Sequence, residues 1–223
     1  MPDKFKRKEV KPMNKKFVMA ALALMAISLI AMRPALAAIT GSAHDFKSRS
    51  WNTTGEICVV CHAPHNASST IAPLWNHTLT SATFTLYSSP SLNATVGQPS
   101  ASSKACLSCH DGTVALGSFG GSTGTVFISG GDKLGTDLSN DHPVSFTYDA
   151  ALATADGTLN NPTVKTVGAL GGKTIDAAML IGHKVECGSC HDVHADEGNS
   201  ATAGHLLLVN NASSALCLTC HNK

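Results

Sequence analysis

Aromatic and charged residues are scarce in this chain of 223 residues. Phe, Trp and Tyr together make up 5% of it, and Asp, Glu, Lys and Arg together 14%. Beyond residue 38 the chain is dominated by Gly, Ser, Thr, Asn and Ala, each of which buries little apolar area. A core of branched aliphatic and aromatic side chains would therefore be thin for a domain of this length. Another kind of group must supply part of the interior.

An excess of basic charge is also missing outside the N-terminal segment. Residues 1–38 hold eight Lys or Arg and two Asp or Glu, a net charge of +6. The remaining 185 residues hold eight basic and 13 acidic groups, a net charge of −5. Nucleic acids and anionic lipids are bound by basic patches. The composition excludes both as the main partner.

Residues 1–38 have the organisation of a cleaved secretory signal peptide. Seven Lys or Arg within Met1–Lys16 precede a nearly unbroken apolar run of 16 residues, Phe17–Met32. Ala35-Leu36-Ala37 then forms an A-x-A cleavage site. An uncleaved membrane anchor is the alternative, but 16 apolar residues are short for a bilayer span. We expect an exported protein whose mature part, 39–223, is a single domain with no membrane span.

No cysteine lies outside a C-x-x-C motif. The eight cysteines form four such motifs, each followed directly by histidine. C-x-x-C-H is the attachment signature of c-type haem: two thiols bond to the porphyrin, and the histidine is the proximal iron ligand. A redox disulfide or a zinc site also uses C-x-x-C, but neither needs a histidine after every pair. The sequence predicts four covalently bound haem c groups. Their attachment residues are Cys58, Cys61, Cys106, Cys109, Cys187, Cys190, Cys217 and Cys220, and their proximal ligands are His62, His110, His191 and His221.

Methionine is nearly absent beyond the signal peptide, where Met179 stands alone. Axial methionine raises the reduction potential of a haem, and at most one of the four haems could have it. Seven further histidines are present, more than four irons require. We therefore expect bis-histidine ligation and low-potential electron transfer.

Two of these seven histidines occur at the same offset in the two halves of the chain. His65 follows the proximal His62 by three residues, and His194 follows His191 in the same way. A histidine at this offset points away from its own iron and can reach a stacked neighbour. His65 and His194 are predicted distal ligands.

The other two distal ligands come from His44, His77, His142, His183 and His205. We favour His142, since a residue before proline is biased toward an extended conformation that projects its side chain. We also favour His44, which lies in an N-terminal arm. Any one of the five could instead hydrogen-bond a haem propionate or face solvent.

The motifs divide the mature chain into a haem pair at 58–110, an insert at 111–182 and a second haem pair at 187–221. Apolar runs predict short strands at Thr125–Ile128 and Val144–Tyr148, and short helices at Ala177–Gly182 and Ser213–Cys220. The expected fold is a mostly irregular multihaem cytochrome c fold with short helices and few short strands. Four stacked haems would form its core, with Trp75 packed on a porphyrin edge.

The chain resembles the doubled-C-x-x-C-H multihaem cytochrome c family. The resemblance is carried by Cys58-Val-Val-Cys-His-Ala-Pro-His65, Pro73-Leu-Trp-Asn-His77, Cys106-Leu-Ser-Cys-His-Asp-Gly-Thr113 and Asp141-His-Pro-Val144. Four haems, a cleaved leader and this length are similar to the tetrahaem members that polymerise into extracellular filaments, or nanowires, of metal-reducing bacteria. The resemblance implies bis-histidine ligation by His44, His65, His142 and His194. It also implies subunits stacked into one haem wire, with one distal ligand, His44 or His77, crossing between subunits.

Three functions compete at this point. The first is a homopolymeric, cell-surface filament that takes electrons from periplasmic or outer-membrane cytochromes and carries them to extracellular acceptors. The second is a soluble periplasmic or secreted tetrahaem shuttle. The third is a haem enzyme such as a nitrite or sulfite reductase, which needs an iron with an open position. All four motifs end in histidine and spare histidines outnumber the irons, so we expect an electron-transfer protein and not an enzyme.

Overall fold

Regular secondary structure comes in short pieces joined by long irregular segments. The computed structural model describes residues 39–71, 73–194 and 206–222. The helices within these ranges are α1 (Ala101–His110), α2 (Ala150–Asp156), α3 (Ile175–Met179) and α4 (Ala215–Cys220). Single 3-10 turns cover Cys58–Val60, Gly130–Asp132, Gly168–Leu170, Cys187–Ser189 and Ala212–Ser214. The predicted signal peptide, 1–38, and His205 lie outside the described residues.

Four two-residue strands form two small antiparallel sheets within the described part of the chain. Strands β1 (Phe146–Thr147) and β4 (Lys184–Val185) pair with Phe146 opposite Val185. Strands β2 (Thr166–Val167) and β3 (Lys173–Thr174) pair with Thr166 opposite Thr174. The first sheet joins the middle of the insert to the residues just before the third C-x-x-C-H motif.

The expected strand at Thr125–Ile128 is wrong, because this run is irregular. The amide of Leu116 donates to the carbonyl of Val126 at 2.8 Å, and a ladder does not develop from that bond. Nearby, a Cβ on Gly124 would lie 2.9 Å from the backbone of Gly117. The two backbones pass too closely for side chains, and β-prone residues alone do not make a strand without a continuous partner.

The other short elements agree better with the apolar pattern. Strand β1 lies inside Val144–Tyr148, and helix α4 lies inside Ser213–Cys220. The helix expected at Ala177–Gly182 begins and ends earlier, as α3, Ile175–Met179. The Thr174 hydroxyl caps it by accepting from the Ala177 amide at 3.3 Å, a capping signal that defines the start of a helix.

The main side-chain core lies in the insert rather than in the haem pairs. It packs the two sheets against α2 and α3 through Phe146, Tyr148, Ala153, Val167, Ile175, Met179, Val185 and Val209. The Tyr148 hydroxyl donates to the carbonyl of Asn160 at 2.5 Å and lies 3.3 Å from that of Cys220, which ties this core to the fourth haem motif. A smaller cluster of Phe84, Leu107 and Leu138 lies behind the second motif.

Met179 belongs to the main core, where its side chain is 4% exposed. We expect Met179→Leu to change the free energy of unfolding by less than about 1.5 kcal/mol, since the side-chain volume is conserved. Met179→Ala should cost about 2–5 kcal/mol because it leaves a cavity. Both variants should keep the haem absorption spectrum of the parent protein. Denaturant unfolding and visible spectroscopy test this, and a spectral change at one haem in Met179→Leu would show that Met179 is a ligand.

Candidate haem-attachment sites

Each of the four C-x-x-C-H motifs folds as one helical turn. The second motif lies at the end of α1. In each of the other three, the amide of the histidine donates to the carbonyl of the first cysteine. The distances are 2.8 Å for His62, 3.0 Å for His191 and 2.9 Å for His221. Residues three apart share one face of such a turn. The two thiols of each motif are therefore presented together, as bonding to one porphyrin edge requires.

The opposite face of each turn packs against the protein. The second residue between the cysteines is buried in all four motifs, namely Val60, Ser108, Ser189 and Thr219. The cysteines themselves are exposed or half-buried. Each motif thus has a buried side that fixes it in the fold and an open side that carries its thiols.

A neighbouring backbone segment holds the end of each motif. The amide of Asn76 donates to the carbonyl of Cys61 at 2.9 Å, and that of Leu134 to the carbonyl of His110 at 2.8 Å. The amides of Leu208 and Asn160 make 2.8 Å bonds to Cys190 and Cys220 in the same way. These bonds fix the position at which each proximal imidazole leaves the backbone.

Two proximal imidazoles are also oriented by a second hydrogen bond. Nδ1 of His62 lies 2.9 Å from the carbonyl oxygen of Pro73, and Nδ1 of His110 lies 2.7 Å from that of Asp132. Metal-binding histidines commonly donate one ring N–H to a carbonyl, which leaves the other nitrogen unprotonated toward the metal. His62 and His110 therefore have the tautomer and orientation of iron ligands.

Three of the predicted distal histidines face three of the predicted proximal ones. Ring centroids are 6.1 Å apart for His44 and His110, 6.0 Å for His194 and His62, and 6.4 Å for His142 and His221. Two imidazoles that bind one metal ion from opposite sides, through bonds of about 2 Å, have ring centres roughly 6 Å apart. The spacing of the three pairs is compatible with bis-histidine binding of a haem iron at three of the four predicted sites.

His44 has the electrostatic properties of a metal ligand. Burial, and to a lesser extent the neighbouring His110, lowers its pKa to about 4. Its Nδ1 atom is buried without a hydrogen-bond partner. The neutral form of the imidazole binds metals, so His44 is held ready for coordination at neutral pH.

His65, the fourth predicted distal ligand, is exposed, as is His191. The reciprocal offsets of His65 and His194 suggest that His65 serves the iron bound by His191. That assignment stays a prediction.

His77 and His183 have other partners. His77 is buried, with Nδ1 2.9 Å from the carbonyl oxygen of Thr78 and Nε2 3.2 Å from that of Ala115. Burial lowers its pKa. His183 is exposed, and its Nδ1 lies 2.7 Å from the Asp176 carboxylate.

Trp75 packs on the first motif, where its ring meets that of His62 edge-on at 6.5 Å. Its indole Nε1 is buried without a hydrogen-bond partner. The predicted contact with a porphyrin edge is compatible with this position, beside a proximal ligand.

The second and third motifs touch each other through their first cysteines. The neighbouring Cys106 lowers the pKa of the Cys187 thiol, and the Cys187 amide donates to the Ser103 hydroxyl, one turn before Cys106, at 2.9 Å. For the half-buried thiols nearby, loss of solvent raises the pKa of Cys61 to about 11 and that of Cys109 to about 12.

Glu186 lies at this contact, and the sequence patterns did not single it out. It is 1% exposed although it is a carboxylic acid. Its place directly before Cys187 is the one signal in the sequence. Glu56 stands two residues before Cys58 and is exposed, so proximity to a motif does not by itself predict burial.

Comparisons with known proteins add no family to this description, because no protein-family model and no curated protein matches the chain. Within the described residues, none of the helices has the length and apolar character needed to cross a bilayer.

The pairing of His142 with His221 is directly testable. His142→Ala should leave the haem at Cys217 and Cys220 without its distal ligand and turn one haem in four from low spin to high spin. Electron paramagnetic resonance of the oxidised protein measures this. His183→Ala is the matched control, because that histidine is also exposed and pairs with Asp176. An unchanged low-spin spectrum in His142→Ala would contradict the pairing.

Proposed function

We propose that this protein is a tetrahaem c-type cytochrome that transfers electrons between covalently bound haems. The observation that carries the proposal is the spacing of the three histidine pairs, each of which joins a predicted proximal ligand to a histidine far away in the sequence. When bound, haem c supplies reversible one-electron transfer at its iron. The protein's own residues anchor and orient the four groups.

In this proposal the two thiols of each helical turn would attach one haem covalently, and in three of the four sites the two facing imidazoles would bind its iron. Iron held by two imidazoles would transfer electrons and would not bind a substrate. The carbonyls of Pro73 and Asp132 keep the nitrogens of His62 and His110 directed at the metal.

The four sites are also next to one another, as a relay of electrons requires. His194, three residues beyond the third motif, faces the proximal ligand of the first. The third motif is joined to the second by the 2.9 Å hydrogen bond from the Cys187 amide to the Ser103 hydroxyl, one turn before Cys106. The segment that leads into the fourth motif is joined to the third by the 2.8 Å hydrogen bond from the Leu208 amide to the Cys190 carbonyl. Electrons could therefore move through all four haems of one chain.

We further propose that the subunits polymerise into an extracellular conducting filament, with the soluble tetrahaem shuttle as the alternative. Support comes from the family resemblance and from the N-terminal arm. His44 lies in that arm, so an exchange of arms between subunits would preserve its pairing with His110 while making the ligand cross the boundary. His77 is the weaker candidate for a crossing ligand, since both its nitrogens face carbonyl oxygens of its own chain.

Cryo-electron microscopy of material sheared from expressing cells separates the two proposals. A filament predicts unbroken haem stacking and one histidine crossing each subunit boundary. Discrete particles in the periplasmic fraction, with all eight axial ligands from one chain, would establish the shuttle instead.

A pair of variants sharpens this test. His44→Ala should abolish filaments while four haems remain covalently attached, because thioether bonds do not depend on the distal ligand. His77→Ala should leave the filaments intact. Filaments that persist in His44→Ala and vanish in His77→Ala would reverse the assignment of the crossing ligand. Haem content per chain, by absorbance and mass spectrometry, shows whether either variant has lost a cofactor.

A further inference from the structure

The Glu186 carboxylate lies in a buried network of serine hydroxyls between the second and third haem motifs. It accepts from the hydroxyl of Ser145 at 2.8 Å, from that of Ser100 at 3.3 Å, and through a short hydrogen bond from that of Ser103. The backbone amide of Ser189 donates to it as well. The network connects α1, β1 and the 3-10 turn of the third motif.

Backbone amides determine which way the serine hydroxyls donate in this network. The hydroxyl oxygen of Ser103 accepts from the amide of Cys187 at 2.9 Å, and that of Ser145 accepts from the amide of Ser100 at 3.0 Å. Each hydroxyl is thereby left with its own hydrogen to donate, and both hydrogens go to Glu186. Every hydrogen bond to the Glu186 side chain is thus one that its oxygens accept, as an ionised carboxylate requires.

This negative charge is close to two haem-attachment sites at once. Glu186 is bonded to Cys187 in the chain, and its partner Ser103 lies three residues before Cys106, one turn along α1. A ferric haem carries one more positive charge than a ferrous one. A buried carboxylate therefore favours the ferric state of nearby haems and lowers their reduction potentials.

We propose that the negative charge of Glu186 lowers the reduction potentials of the second and third haems relative to those of the first and fourth. This inference rests on the proposed function, and it adds to that function a defined step in potential along the chain.

Glu186→Gln in the full haem-loaded protein tests the proposal. The amide keeps the shape of the side chain and removes its charge, so two of the four midpoint potentials should rise while the other two stay in place. Spectroelectrochemical titration measures all four. The shift should persist at high ionic strength, because a buried charge is little screened by salt. Equal shifts of all four haems, or no shift, would overturn the proposal.

Two further variants separate charge from a merely structural effect. Glu56→Gln removes an exposed carboxylate near the first motif and should leave the potentials unchanged. Ser145→Ala keeps the Glu186 charge but removes a donor that partly neutralises it, so the same two potentials should fall. If Glu186→Gln and Ser145→Ala shift them in the same direction, the network acts by holding the fold and the charge proposal is wrong.

The number of attached haems distinguishes a failure of the proposed tetrahaem function from a failure of the proposed role of Glu186. Fewer than four attached haems in the parent protein would refute the tetrahaem function. Four attached haems with unmoved potentials in Glu186→Gln would refute the role of Glu186 alone. If Glu186→Gln does not fold, Ser145→Ala decides, and the absence of a downward shift in that variant overturns the proposal.

Discussion

The proposed architecture depends on pairs of histidine side chains that face each other. In each pair, one histidine directly follows a cysteine pair and the other comes from a distant part of the chain. An iron bound by each pair would link the N-terminal arm to the second motif, the first motif to the residues after the third, and the insert to the last motif. Closing loops of this length costs conformational entropy of the chain. Coordinate bonds from an iron to the two histidines of a pair would offset that cost, as other cross-links do. A chain with few large apolar side chains could hold its loops together by such links.

The side-chain core has a complementary role. Its largest cluster lies in the insert, and the Tyr148 hydroxyl extends it to the backbone of the fourth motif. Behind the second motif, Leu107 joins a smaller cluster with Phe84 and Leu138. The two clusters thus reach the fourth and the second attachment turns, through Cys220 and Leu107. They contribute to the spacing between these motifs.

Buried polar groups complete this framework where two motifs meet. Burying a carboxylate is unfavourable unless donors surround it, and the serine hydroxyls around Glu186 fulfil that condition. The same bonds join helix α1 to the turn of the third motif. A network of this kind fixes one relative orientation of the two motifs, because its hydrogen bonds are directional and an apolar contact is not. Orientation matters for electron transfer between cofactors, since the rate depends on how closely their edges approach.

The sequence by itself indicated the chemistry: four C-x-x-C-H motifs, an excess of histidine and one methionine beyond residue 38 predict haem c. It also predicted the distal ligands His44, His65, His142 and His194, through arm position, a repeated offset and a following proline. Only the tertiary structure decided which imidazole faces which, because contacts between distant segments leave no periodic pattern in the chain. The same holds for Met179, whose burial in the core depends on packing with β1 and β4. It holds equally for Glu186, which is bonded by serine hydroxyls from two other segments, and for Thr125–Ile128, where β-prone residues lack a continuous strand partner.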